Sequence, residues 1–490
     1  MASPTGSTDA CWRAAACWPA IRSTPSAPGC SSRTLTCIDS PPTLLRAAWR
    51  DPVDVAAAFA DEPFALCLIS DGAGERGRWS YFARDPDDTL TVDPHDPVDA
   101  MAALARLLGP TRPTASGGPP FQGGVAGLAA YEFGDRLERL GLARLPPWPD
   151  LACARYDRLL AFDHRDGVVF AIGADPAAAG AAQAWLGARD RQRPTRRLVT
   201  RSIGATPAAA HEAAVADIIG RIAAGEIFQA NLARAWSGLM RFGCRPFDLF
   251  ARLVPASPAP FAAYLRLSGL AVVSNSPERF LRVTPCAGAL IAETRPIKGT
   301  VPRGATPAED ERLVAELAAS EKDRAENLMI VDLMRNDLAR TATPGAVRVP
   351  ELFAVERFAN VSHLVSTVTA QLAPGRTALD AFAAAFPPGS ITGAPKVQAM
   401  KVIAKLEPPR GPFFGAMFWA GFDGAFDSNV LIRTAAFRRR SFRHDGFPQP
   451  GPFWFFETRA GGGIVADSEP AAERRETEAK IAAILSALTT

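Results

Sequence analysis

A chain of 490 residues with 48% hydrophobic and 21% charged side chains carries enough apolar material for several average domains or for one large α+β body. Its formal net charge of +3 is close to balance, which argues against nucleic acid or a membrane surface as the main partner, and no apolar run reaches the roughly 18 residues that span a bilayer. Cys11, Cys17, Cys30 and Cys37 crowd the start while Cys67, Cys153, Cys244 and Cys286 are scattered, with no CxxC pair. Thiols in a reducing cytoplasm fit that pattern better than a disulfide frame or a zinc site.

Residues 1–40, rich in Ser, Pro, Ala and Arg and nearly free of acids, read as a disordered extension or an over-called start. Ordered sequence is expected from Pro42. "FALCLISDGAGERGRWSYFA" reads as a hairpin, "DPVDAMAALARLLG" as a helix, and "PPFQGGVAGLAAYEFG" as a Gly-rich apolar run leading into another helix. "YDRLLAFDH" and "GVVFAIGA" suggest a second hairpin. The Ala-, Arg- and Thr-rich stretch 174–205 marks a candidate boundary between an N-terminal region, 41–200, and a second region, 205–488. The latter opens with "HEAAVADIIGRIAAGEIFQANLARAW" and continues through a long helical segment over 308–339 and a last helix from Pro470 to Leu488. Arg438 to Arg440 are expected at a solvated loop tip. Strands and helices mix without a βαβ rhythm, so the expected class is α+β rather than a doubly wound sheet.

Several stretches of the second region carry chemistry. In "ETRPIKGT" (293–300), Lys298 sits between a stiff Pro-Ile pair and Gly299. Burial or a neighbouring cation favours the neutral amine that can attack carbon; a solvated turn is the plainer alternative. Asp323 and Glu326, and likewise Glu473 and Glu476, are spaced i, i+3, so each pair shares a helix face. Two such faces meeting would suit Mg2+, which takes one or two carboxylates and completes its shell with water and an anionic ligand. Either pair alone would equally fit solvated helix surface. "AGGGIVADS" (460–468) and "PPGSITGAPK" (387–396) expose backbone N–H groups to an anion, although neither is a P-loop. His363 in a β-branched run could serve as an acid or base or simply as a buried structural histidine. Arg433, in "VLIRTA", reads as a charge on an otherwise apolar strand, either paired structurally or aimed at a ligand carboxylate.

Taken in order, "SPERF" (276–280), "ETRPIKGT", "KDRAENLMIVDLMRND", "FANVSHLVST", "FPPGSITGAPK", "IRTA" and "AGGGIVADS" closely resemble the chorismate-utilising enzymes. The resemblance covers most of 205–485, and "FQGGVAGLAAYEFG" extends it to the preceding region. It implies an α+β body of two packed β-sheets flanked by helices. It also implies that Glu326 and Glu476 hold Mg2+ against the ring carboxylate of chorismate, with Asp323 and Glu473 acting through water. Gly461, Gly462, Lys480, Thr392 and Gly393 match substrate-binding positions, Arg433 matches the grip on the enolpyruvyl carboxylate, and His363 and Glu278 match catalytic ones.

Two positions separate the branches of that family. Gln229 stands where the water-adding members carry a lysine, which implies ammonia as the nucleophile. Lys298 stands where anthranilate synthases have alanine and where the branch that forms 4-amino-4-deoxychorismate has lysine. The implied reaction is therefore amination of chorismate through a covalent Lys298 adduct, in the cytoplasm. A separate glutamine amidotransferase subunit would supply the ammonia, because no Cys-His-Glu glutaminase half is evident. Anthranilate formation is the alternative. The family's Gly-Tyr beside the substrate reads Phe418-Trp419 here, and the Leu-Leu-Glu-Ser of the tryptophan pocket reads "CLISD" (67–71), which puts those two contacts in doubt.

Overall fold

Short apolar runs punctuated by glycine become the strands of two antiparallel sheets. The computed structural model describes residues 40–440 and 453–490 except 75, 190–193, 195, 201–202 and 358–360. The expected extension, apart from Ser40, lies outside the described residues, as do its four cysteines and the "FAN" of "FANVSHLVST". The 12-stranded sheet runs, in spatial order, Thr43–Ala48, Val168–Gly173, Arg158–Asp163, Trp79–Ala83, Leu66–Ile69, Phe261–Leu267, Leu270–Ser276, Thr434–Arg440, Phe453–Ile464, Gln229–Leu239 and Gly393–Ala394. Gly204–Ala205 pairs beside this path onto Gln229–Leu239. The 10-stranded sheet runs Ile297–Pro302, Val361–Leu372, Ala289–Thr294, Arg279–Cys286, Phe426–Asn429, Ala416–Gly421, Gly124–Ala129, Leu151–Tyr156 and Asp88–Val92, with Ala342–Arg357 pairing onto Val361–Leu372.

The central strands of the first sheet are buried on both faces, so they read as continuous apolar runs rather than alternating ones. Leu265 and Val272 face a core shared with Val125, Leu281 and Phe418 of the second sheet. Their neighbours Tyr264 and Val273 face the opposite way, onto Phe247 and Phe250 of the helix Pro246–Ala256 and Ile484 of the last helix. This is the expected pair of packed sheets with helical flanks. Both sheets take strands from before residue 200 and after residue 205, and residues 40–490 form one unit. The stretch 174–205 therefore joins segments that share both sheets.

Three local details differ from the sequence reading. The helical stretch over 308–339 is two helices, Pro307–Ala319 and Glu321–Ala339, because Ser320 leaves the helical conformation and its hydroxyl accepts from Asp323 N. Arg438 and Arg439 lie in a paired strand rather than at a loop tip. Arg433 precedes that strand, at φ +48°. No helix among the described residues is long and apolar enough to cross a membrane, and the described cysteines form no disulfide.

The elements that carry the site are named here in chain order: β1 (Gln229–Leu239), β2 (Arg279–Cys286), β3 (Ala289–Thr294), β4 (Ile297–Pro302), α1 (Glu321–Ala339), β5 (Val361–Leu372), α2 (Lys396–Leu406), β6 (Phe453–Ile464) and α3 (Pro470–Thr489). Helix α2 and the helix Ala208–Ala223 bury Val402, Ile403, Val215 and Ile218 against Ala230 and Leu232 of β1, which fixes the edge of the first sheet. Behind β2, Phe382 packs its ring against Phe280, Phe386, Phe418 and Phe426 at centroid distances of 5.9, 5.2, 5.4 and 5.3 Å. Removing that ring leaves a cavity that aromatic neighbours cannot close. Phe382→Ala is expected to lower stability by about 3–5 kcal/mol, measured by denaturant unfolding; a loss below about 1 kcal/mol would mean that the cluster is not a keystone of the core.

Candidate active site

Lys298 lies at an interruption of the ladder between β4 and β5. Ile297 pairs with Val365 and Thr300 with His363, so the register shifts across Lys298 and Gly299. Gly299 has φ +81°, and a Cβ there would sit 2.8 Å from Leu317 and 2.9 Å from the carboxyl carbon of Asp323. Only glycine suits both conditions. The bulge leaves the Lys298 side chain largely buried with Nζ 3.4 Å from Glu326 Oε2.

Two helices converge on that amine. Helix α1 brings Glu326 to it and turns Asp323 against Gly299. Helix α3 brings Glu473 and Glu476 to the backbone of β6, where a Cβ on Gly462 would lie 2.9 Å from Glu473 Oε2 and 3.8 Å from Glu476 Oε1. The two glutamates of α3 are tuned in opposite directions. Burial and the neighbouring Glu476 charge push the Glu473 carboxyl above its ordinary range, against a 2.7 Å hydrogen bond from Ser468 Oγ and the charges of Lys322 and Lys480. Burial also acts to raise Glu476, but Lys480, Lys298 and Lys322 outweigh it and hold that carboxyl below its ordinary range. Lys480 is pinned by Glu476 at 2.5 Å and by the carbonyl of Gly461 at 2.9 Å.

The glycines of β6 let the remaining groups approach. A Cβ on Gly463 would fall 2.3 Å from Gln229 Nε2 and 3.0 Å from Lys298 Nζ. Gln229 is fully buried, and neither its amide nitrogen nor its amide oxygen has a hydrogen-bond partner among the described residues. On the opposite side Glu278 accepts a 2.7 Å hydrogen bond from Ser390 Oγ. Burial raises its carboxyl above the usual range despite that bond and the charges of Lys298 and Lys480. A carboxyl biased towards its protonated form, beside an amine and under a hydroxyl donor, can deliver a proton.

His363 and Arg433 form a second group. His363 Nδ1 is 2.7 Å from Thr300 Oγ1, and burial together with the Arg433 guanidinium pulls its imidazole down to about 4. Arg433 is half-buried, burial lowers its own pKa, and no carboxylate among the described residues lies within ion-pair distance of it. A buried guanidinium so placed can receive a carboxylate from a ligand. Thr392 and Gly393 lie beside β1. Thr392 is fully buried and its hydroxyl donates to the Pro388 and Gly389 carbonyls, while Gly393 pairs with Ala230 at φ +145°.

The structure thus brings together Lys298, Glu278, Glu326, Glu473, Glu476, Lys480 and the backbone of Gly461 and Gly462, with Asp323 one helical turn back. Phe418 and Trp419 are core residues, the first against Phe382 and Phe426 and the second stacked on Phe121 at 5.0 Å. Lys322, Ser468 and Gly463 escaped the sequence reading as functional residues, although all three lie inside stretches that it quoted; spacing did not say which way each side chain points. For a divalent cation, Glu326 and Glu476 offer hard oxygen donors flanked by the same lysine. Among the described residues no three acidic, histidine or cysteine side chains gather into a metal cage. A two-carboxylate seat completed by water and an anionic ligand fits Mg2+ better than a closed protein cage.

A profile of the chorismate binding enzyme family matches residues 66–486. The chain belongs to that family. Among the relatives of this chorismate-binding enzyme, the aminodeoxychorismate synthase component 1 of Salmonella typhimurium is 38% identical over 91% of this chain and 98% of its own length. The anthranilate synthase component 1 of Streptomyces coelicolor is 39% identical over 89% and 87%. The crystal structure of anthranilate synthase component I from Streptococcus pneumoniae TIGR4 superposes with a TM-score of 0.71 at 25% identity, covering 83% of this chain and 92% of that one. The family and the two-sheet architecture expected from the sequence are therefore both borne out.

Two outcomes follow from the geometry. The atoms nearest a methyl at position 463 belong to the ends of the Gln229 and Lys298 side chains rather than to backbone, so Gly463→Ala is expected to fold, which its Tm checks. It should displace both Gln229 and Lys298 and lower kcat/KM for chorismate about 100-fold or more; unchanged kinetics would show that neither end is needed where it lies. His363 titrates near 4 in the folded protein and near 6.5 when unfolded, so the unfolded chain takes up this proton first as pH falls. Its contribution to stability is present above about pH 6.5 and is lost on the way down through about pH 4. The difference in Tm between the native protein and His363→Gln should move against the native protein as pH drops from about 7.5 to about 4.5.

Proposed function

We propose that this chorismate-binding enzyme converts chorismate and ammonia to 4-amino-4-deoxychorismate, as the component I subunit of an aminodeoxychorismate synthase. Relatives bearing that name and relatives named anthranilate synthase are about equally similar to the chain, so overall likeness does not choose between them. The observation that carries the choice is Lys298 itself. An amine, where anthranilate synthases have a methyl, reaches into the cluster between Glu326, Gln229 and Gly463.

In this reading Arg433 grips the enolpyruvyl carboxylate, and the backbone of Gly461 and Gly462 with Lys480 lines the ring carboxylate. Glu326 and Glu476 would hold Mg2+, with Asp323 and Glu473 supporting it through water; when bound, the ion neutralises the ring carboxylate and fixes its place. The Lys298 amine attacks C2, the two conjugated ring double bonds shift to C1=C6 and C4=C5, and the C4 hydroxyl leaves with a proton from Glu278. Ammonia then adds at C4 as the double bonds return and the Lys298 amine departs from C2. One chorismate and one ammonia give one 4-amino-4-deoxychorismate and one water, with the enolpyruvyl ether intact. Two modest displacements replace one difficult one. His363, neutral at physiological pH, hydrogen-bonds near the reacting edge without adding a third charge. The "component 1" in the names of the relatives supports a separate glutamine amidotransferase as the ammonia source; the setting proposed with it is 4-aminobenzoate and folate synthesis in the cytoplasm.

Incubating the protein with chorismate, Mg2+ and an ammonium salt and separating the products by chromatography tests the reading. The expected product is 4-amino-4-deoxychorismate, with 4-aminobenzoate appearing only after a lyase is added. Lys298→Ala should lose at least about 100-fold of that activity and leak towards anthranilate. Anthranilate from the native protein would overturn the proposal in favour of anthranilate synthase, and an undiminished rate in Lys298→Ala would remove the covalent step.

A further inference from the structure

Lys298 and Gly299 fall at the register shift between β4 and β5, so regular ladder pairing does not set where the amine points. The residue before this segment is Pro296, which has no N–H with which to anchor itself. What holds it is its carbonyl, which accepts from Ser366 N at 3.2 Å and from the side chain of Asn327 at 3.5 Å. Asn327 follows Glu326 on α1 and is completely buried. Its amide nitrogen also reaches the carbonyl of Leu364, the neighbour of His363, at 3.4 Å, and its amide oxygen accepts from Ser366 Oγ at 2.5 Å. The Ser366 oxygen in turn accepts from Phe353 N at 3.0 Å, tying in the outermost strand.

We infer that Asn327, braced by Ser366, is a positioning residue that sets Lys298, Glu326 and His363 against one another. The inference rests on the proposed reading for the part that those three groups play. An asparagine amide has two N–H donors and one acceptor. Its two carbonyl partners lie within two residues of a site group, Pro296 before Lys298 and Leu364 beside His363, and Asn327 itself is beside Glu326. The side chain therefore fixes the rotation of α1 about its own axis relative to the ends of β4 and β5. A leucine would fill the same space, but it would take one donor from each of the Pro296 and Leu364 carbonyls and the acceptor from the Ser366 hydroxyl, leaving Pro296 tied to Ser366 N alone. The bulge would then be free to settle elsewhere. Because the amide touches no substrate position, its loss should degrade alignment rather than binding.

The test is steady-state consumption of chorismate with saturating Mg2+ and ammonium by Asn327→Leu, Ser366→Ala and the double variant, with kcat and KM resolved and Tm measured alongside. Asn327→Leu is expected to lower kcat by about 10- to 100-fold while KM for chorismate changes by less than about 3-fold. Ser366→Ala is expected to lower kcat by about 3- to 10-fold, and the double variant should be no slower than Asn327→Leu, since both act through one network. A lowered Tm with kcat within about 2-fold of native in both single variants would make the network merely structural and overturn the inference, as would a change confined to KM. Should Asn327→Leu fail to fold, Ser366→Ala, which deletes one hydroxyl, decides on the same criteria. Chorismate consumption is read whatever the product, so anthranilate from the native protein would sink the proposed function without touching this result.

Discussion

The site depends on one stretch of strand that has no side chains. Along Gly461, Gly462 and Gly463 of β6, a Cβ would stand 2.6 Å from the Leu232 carbonyl, 2.9 Å from Glu473 Oε2 and 2.3 Å from Gln229 Nε2 in turn. Three different elements, β1, α3 and the β4 bulge, each use the space that one missing methyl leaves. The glycines are costly as strand residues, since they give up the most conformational freedom on folding. Here the three glycines are laddered to Ala233, Leu232 and Asn231 of β1, while Thr434–Arg440 pairs with the earlier part of β6, and these ladders supply the order that the residues themselves do not.

The ladder with β1 needs a foundation, and Arg410 provides it by tying that strand to Tyr131 and Glu132 of the N-terminal region. This side chain is only 1% exposed. It donates to both oxygens of Glu407 and to the carbonyls of Ile391 and Asn231, and it lies over the rings of Tyr131 and Phe414 at 4.6 and 4.4 Å. Its own backbone N–H and that of Gly411 donate to Glu132, whose buried carboxyl is raised to about 7 by burial despite those bonds. One guanidinium thus joins β1, the loop before Thr392 and the turn after Gly124–Ala129. Removing one partner of such a buried pair typically costs about 3–5 kcal/mol, whereas its net worth against an apolar replacement is far smaller. The gain is in placement: Gln229 faces Ala394 and Ala230 faces Gly393 because their two segments share one hub.

Much of this was legible in the sequence, and for identifiable reasons. Strand and helix types followed from glycine punctuation and from the i, i+3 spacing of Asp323 with Glu326 and of Glu473 with Glu476. The family followed from the order of the quoted stretches, which placed Lys298, Glu278 and the acidic pairs before any geometry was known. What stayed hidden were relations between segments far apart in the chain. Arg410, Asn327 and Lys396 look like ordinary polar residues until folding buries them against Glu407, Pro296 and Asp337. Ser320 was passed over because one cap residue inside a helical pattern barely changes its periodicity. Arg433 looked like part of a strand because its apolar neighbours do, yet it takes φ +48°, a conformation that an L-residue adopts at some cost and that turns it away from the strand to follow.

The electrostatics of α3 give the arrangement a direction. Glu473 and Glu476 share one helix face and one glycine, yet burial dominates the first while three lysines dominate the second. If both were fully charged and equally solvated, their repulsion would oppose the docking of α3 on β6. The split works against that opposition, since burial raises the Glu473 carboxyl, bonded by Ser468, while the lysines hold Glu476 down. The same split fits the proposed division of labour, in which an ionised Glu476 binds a cation directly and Glu473 acts at one remove. It also accounts for the lysines. Lys298, Lys322 and Lys480 offset the acids: all three lower the Glu476 carboxyl, and Lys298 also lies 3.4 Å from Glu326 Oε2.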